Sequence, residues 1–151
     1  MGDVSVEFML GVVQAEATKL FVANGLRPSF VGRVEPRLVL TTEVLSAIDF
    51  AGERTAGLLV LGMAPSLLWR SHPAGGGSAA DLADWLNELA NMLLGRVKLA
   101  LMDYRCPIQA GTPTTIVAED LGLSGSAAGL VMLAFKDGSE AIHVAVCQAL
   151  P

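Results

Sequence analysis

Between residues 4 and 22 the apolar side chains Val6, Leu10, Val13, Ala17 and Leu20 recur every three or four positions, the spacing of a helix with one buried stripe. Asn24-Gly25 follows as a stop, because glycine accepts the left-handed backbone that ends many helices. Residues 28–36, bounded by Pro28 and Pro36, read as a connector. Two runs rich in apolar and β-branched residues, 38–40 and 44–50, have the length of strands. Gly52-Glu53-Arg54 then predicts a hairpin turn with its return strand over 56–63. Pro65 opens a short helix over 65–70, at a position where its missing N–H is not needed. Residues 72–77 form a loop.

Ser78 with Asp81 three residues later has the form of a capping box, and Leu82, Leu86, Leu89, Leu93, Val97 and Ala100 follow at helical spacing. The pattern predicts a second long helix over 79–101. A break at 107–113 precedes a strand over 114–118, and 121–126 is a Gly/Ser loop. Two last strands, 128–135 and 140–147, flank Lys136-Asp137-Gly138-Ser139, a turn in which Asp-Gly supplies the positive φ that hairpins require. The order helix, hairpin, helix, hairpin is a weak internal repeat, with Ile48-Asp49-Phe50-Ala51-Gly52 loosely echoing Ala134-Phe135-Lys136-Asp137-Gly138. The expected fold class is therefore α+β: two long helices packed on a mostly antiparallel sheet, in pseudo-repeated helix–hairpin halves. A chain of 151 residues is enough for one compact domain spanning its whole length.

Composition adds a partner and removes several functions. With 52% hydrophobic and 17% charged residues, the chain is more apolar than a typical soluble domain, which points to buried faces shared with a partner chain. Its apolar runs are too short to span a bilayer, and the N-terminus carries Asp3 and Glu7 where a secretory signal would carry Lys or Arg, so a cytoplasmic location is expected. A net charge of −5 with scattered Lys and Arg argues against nucleic acid. Two cysteines, Cys106 and Cys147, and two histidines, His72 and His143, supply neither a disulfide framework nor a zinc site. Gly75-Gly76-Gly77-Ser78 lacks the Lys-Ser/Thr ending of a phosphate cradle and reads as a flexible loop. No acidic or nucleophilic neighbour is in view for His143, which is assigned no role; Cys147, Met63, Trp69 and Met92 are expected in the core.

On a wheel of about 100° per residue with Leu86 at zero, Leu82, Leu89, Leu93, Val97 and Ala100 fall within about 60° and form the buried stripe. Asp84, Glu88, Asn91, Gly95 and Lys98 lie roughly 120° to 200° away and share the outer face. Glu88 and Asn91 are neighbours at i and i+3, and Gly95 removes the side chain beside them. A glycine inside a helix costs about 1 kcal/mol relative to alanine and needs a reason. Either another molecule's backbone comes close there, or the protein's own sheet does.

The string Asp84-Trp85-Leu86-Asn87-Glu88-Leu89-Ala90-Asn91-Met92-Leu93-Leu94-Gly95-Arg96-Val97-Lys98 resembles the D-x-x-x-E-x-x-N-M-x-x-G-x-x-K helix of the CheC, CheX and FliY phosphatases. Asp84, Glu88, Asn91, Met92, Gly95 and Lys98 match in register. CheC-type members carry a second ExxN on the first helix, whereas here Glu7 is followed at +3 by Leu10 and Glu16 by Lys19, so the likeness is to CheX. The chain departs from the family after this helix, where Cys106-Pro107 stands in place of a frequent Ser and Pro.

The resemblance implies a phosphatase acting on the aspartyl phosphate of a CheY-like response regulator, ending a chemotaxis or related two-component signal. No cofactor is expected in this chain; Mg²⁺ belongs to the regulator's own site, where with a lysine it neutralises the transferring phosphoryl group. The missing element is a positioned water. Asn91 would orient that water, since an amide both donates and accepts, and Glu88 would pair with the regulator's lysine. Asp84, Gly95 and Lys98 would belong to the binding surface. Added to the apolar composition, the resemblance also implies a homodimer. The alternative is a non-catalytic CheC-like module that binds a receiver domain or another signalling partner without turnover.

Overall fold

The computed structural model describes residues 4–34, 43–75, 77–117 and 129–148. The strand expected over 38–40 and the loop over 121–126 lie outside them, as do Gly76, Ala118 and Ala128. In chain order the elements are α1 (Val6–Ala23), β1 (Ser29–Val34), β2 (Val44–Ala51), β3 (Ala56–Met63), α2 (Pro65–Ser71), α3 (Ala79–Met102), β4 (Gln109–Ala110), β5 (Thr114–Ile116), β6 (Leu130–Asp137) and β7 (Glu140–Gln148). The fold class is α+β. One antiparallel sheet of seven strands runs β1-β6-β7-β3-β2, with β4 and β5 both paired to the outer edge of β2.

The register sorts side chains onto two faces because successive residues of a strand point to opposite sides. Ile48, Leu59, Val146 and Val131 stand in one row across four strands and meet the helices. The adjacent row, Ala47, Val60, Ala145 and Met132, forms a smaller cluster with Leu45 on the far face. On the helix side Met9, Val13 and Phe21 of α1 join Leu86, Leu93 and Val97 of α3 in the main core. Among the described residues no helix is long and apolar enough to cross a membrane.

The connector expected over 28–36 instead contains β1. Among the described residues its outer edge is unpaired, its burial shows no clean alternation, and a bulge separates Phe30 from Gly32, which has φ +137°. An edge strand of this kind lacks the period-two signal of a half-buried one. At the β6–β7 hairpin, Gly138 takes φ +61° in a two-residue turn closed by the Asp137–Glu140 pair.

Two buried acids hold the sheet to its surroundings in opposite ways. Asp137 accepts from the Arg27 backbone N–H at 2.8 Å and from the Arg70 guanidinium, and these donors hold its carboxyl below the usual range. Glu43 meets His143 Nδ1 at 2.5 Å, while its Oε2 is buried with no hydrogen-bond partner. Burial pushes the Glu43 carboxyl up, against the opposing pull of His143. The histidine that lacked an acidic neighbour in the sequence therefore has one, 100 positions away.

Candidate functional site

Ser78 Oγ accepts from the Asp81 N–H at 3.2 Å and Asp81 Oδ2 accepts from the Ser78 N–H at 3.1 Å, so α3 opens on the capping box that its sequence spells. The Ser78 backbone bond is the main reason the Asp81 carboxyl lies below its ordinary range. The helix runs to Met102, and the chain then turns back through Arg105 at φ +54° to bury Cys106.

Rotation of α3 about its own axis is fixed from three directions. Leu86, Leu89 and Leu93 are fully buried beneath it. On one flank Trp85 donates Nε1–H to Ser71 Oγ of α2 at 3.0 Å and its ring lies 5.7 Å from that of His72. On the other flank Asn87 accepts from Ser46 Oγ of β2 at 2.5 Å and donates to Thr115 Oγ1 of β5 at 3.1 Å. Trp85 and Asn87 stand one residue either side of Leu86, about 100° away in each sense, so the remaining sector faces outward. The buried stripe is accordingly wider than the leucine repeat alone: Trp85, Ala90, Leu94 and Leu101 join it, while Ala100 is only half-buried.

Asp84, Glu88 and Asn91 are exposed in that sector, and Gly95 and Lys98 are half-buried in it. Among the described residues no hydrogen bond or ion pair takes up the side chains of Asp84, Glu88, Asn91 or Lys98. Among the described residues a Cβ built on Gly95 would meet nothing within 4 Å, so no strand of the described sheet accounts for this glycine. Gly57 shows what such service looks like: a Cβ there would lie 2.0 Å from the Cys147 carbonyl oxygen of the next strand.

Two further residues of this face, Leu99 and Met102, are not singled out by the sequence pattern, and Met92, expected in the core, lies outside it. Met92, Leu99 and Met102 are 38%, 67% and 57% exposed. Trp69, also expected in the core, is 54% exposed, whereas Met63 is buried as expected. On seven-residue α2 only Leu67, Leu68 and Ser71 face inward, so Trp69 is carried to the outside. The wheel angles of Leu99 and Met102, about 220° and 160° from Leu86, were the signal that marks them as outward.

The face holds no nucleophile–base pair. Among the described residues no group of three His, Cys, Asp or Glu stands close enough together to hold a metal ion. The core gap among Met9, Val13, Leu94 and Val97 has an apolar lining without chemistry. A free carboxylate and a free amide, about 4.5 Å apart along the axis beside an open notch, suit chemistry on a group that another molecule brings.

No family model matches the chain, and no curated protein matches it in sequence. Solved structures do match it in shape. A CheC-like superfamily protein from Shewanella is 17% identical with a TM-score of 0.76, over 97% of this chain and 100% of that one. Chemotaxis protein CheX from Vibrio vulnificus is 14% identical with a TM-score of 0.74, over 93% of this chain and 99% of that one. A chain of the CheX-CheY-BeF3-Mg²⁺ complex from Borrelia burgdorferi is 13% identical with a TM-score of 0.69, over 96% and 97% of the two chains. With its helix-covered antiparallel sheet, the chain has the fold of the CheX and CheC-like proteins.

Proposed function

We propose that this chain is a cytoplasmic phosphatase for the aspartyl phosphate of a CheY-like response regulator in chemotaxis or a related two-component pathway. The observation that carries the reading is the unengaged set of Glu88, Asn91 and open Gly95 on a helix clamped from its other sides. The fold shared with a chain of a CheX-CheY complex supports it. Asn91 enters the regulator's site and holds water in line with the phosphoryl group. Glu88 pairs with the regulator's lysine, and the regulator supplies the Mg²⁺. No covalent step on this chain is required, because orienting a nucleophile alone removes several kcal/mol of barrier. On the same reading the chain is one CheX-like domain over 1–151. Its halves, α1 with β2–β3 and α3 with β6–β7, are copies of one unit of which the second carries the ExxN pair.

The chain acts as a homodimer. Edge strand β1, with Phe30 and Val31 43% and 54% exposed, offers open backbone and apolar surface for pairing across a two-fold. Sedimentation at micromolar protein should give twice the 15.7 kDa of one chain. The decisive test of the activity is the decay of a CheY aspartyl phosphate in Mg²⁺ buffer with and without the protein. Faster decay is expected. Tight binding with no change in decay would instead assign a binding module.

A further inference from the structure

The outer sector of α3 carries three large apolar side chains that water orientation does not use. Met92, Leu99 and Met102 are 38%, 67% and 57% exposed. They fall at about 240°, 220° and 160° from Leu86, the sector that also holds Glu88, Asn91 and Gly95. Leu99 follows Gly95 at i+4 and Met102 follows Leu99 at i+3, on successive turns, with Met92 one turn before the glycine. Single exposed leucines are ordinary on a protein surface; an aligned strip beside an unengaged polar pair marks a contact.

We infer that Met92, Leu99 and Met102 are the anchor that sets affinity for the phosphorylated receiver domain, while Asn91 sets the rate. This rests on the phosphatase reading and names the chemistry its partner must present. The N-terminal half of the sector is acidic, with Asp84 and Glu88 unpaired among the described residues, and matches a pocket that carries a lysine. The C-terminal half carries Leu99 and Met102 with Lys98 at its margin, and Gly95 between the halves leaves room for a backbone against the helix. Leu99 and Met102 stand about 12 and 16 Å beyond Asn91 along the axis, so the partner carries an apolar patch at that distance from its phosphoaspartate. Receivers with a charged residue there are poor substrates. A second copy of this chain is a weaker occupant, because the proposed dimer pairs through edge strand β1.

Leu99→Ser and Met102→Ser, singly and together, should be assayed against a CheY receiver phosphorylated with acetyl phosphate in Mg²⁺. The double variant is expected to raise KM about tenfold, the scale of losing a buried apolar anchor, with kcat within about twofold of the parent. Leu99→Met should restore the parent KM, and thermal melts should be unchanged because both positions are exposed. Asn91→Ala should show the converse, a fall in kcat at constant KM. An unchanged KM in the double variant, with Asn91→Ala inactive, overturns the anchor and leaves the phosphatase standing. Asn91→Ala at parental speed brings down the phosphatase reading and the anchor with it. Conversion of a dimer to a monomer by the double variant, at constant KM, gives the strip to a second copy and also overturns the anchor.

Discussion

α1 and α3 lie on the same face of the sheet, each with a buried apolar stripe and an outward glycine, yet they present different surfaces. A Cβ on Gly11 of α1 would meet nothing within 4 Å, as on Gly95 of α3. An open glycine is therefore no site by itself. The difference lies in what surrounds it. On α1, Glu7 is paired with Arg33 of β1 and Glu16 with Lys19, and the residue three beyond Glu7 is the buried Leu10. On α3, Asp84, Glu88 and Asn91 have no partner among the described residues. α1 has spent its outer polar groups on its own fold, and α3 has kept them free.

The largest effect should come from the inner side of α3. Leu86 is fully buried, so Leu86→Asp places an unpaired charge in the core and should leave no soluble, cooperatively folded protein. A normal melt of that variant would break the assignment of inner and outer faces.

Next in size is the outer pair. Asn91→Ala should slow dephosphorylation about 10²- to 10³-fold, the scale of one preorganised transition-state hydrogen bond, without changing the melting temperature. Glu88→Ala should weaken association as well as turnover, because it leaves the regulator's lysine uncompensated, and more protein should recover part of the rate. Titrations against a phosphorylated receiver separate the two roles.

The two glycines give the most direct comparison. Gly11→Leu and Gly95→Leu should each hold or raise stability, by up to about 1 kcal/mol, since leucine is the better helix former and both positions are open. Only Gly95→Leu should slow the reaction, because the new side chain stands beside Asn91. Equal activity in both variants would show that no partner approaches α3 there. The smallest effects belong to surface charges: Glu7→Ala and Lys98→Ala should each shift stability by about 0–1 kcal/mol and leave the rate near the parent's. A total loss of activity in Lys98→Ala would move that residue into the site.

Much of this arrangement was legible in the residue pattern, because the pattern reports local period. The phase of α3, its capping box and the β2–β3 and β6–β7 hairpins depend on neighbours a few positions apart. β1 was not legible, since an edge strand with a bulge at Gly32 has no alternation to read. The clamps were hidden for another reason. Asn87 meets Ser46 41 positions away through helix-on-sheet packing, and His143 meets Glu43 100 positions away, so only the tertiary fold brings them together. The outward face itself is visible on the wheel, but composition alone places Met92 in the core and gives no reading of Leu99 and Met102, where position on the wheel decides.

The flanking clamps at Trp85 and Asn87 have a kinetic consequence. They stop α3 from rolling about its axis, so its outer groups are aligned when the chain folds and not when a partner arrives. Little conformational entropy is left to surrender on contact, and the encounter is one of rigid surfaces. Association should then follow a single exponential with a rate constant of about 10⁵–10⁷ M⁻¹s⁻¹, and loosening the clamp by Asn87→Ala should add a slow phase in which the helix finds its seat.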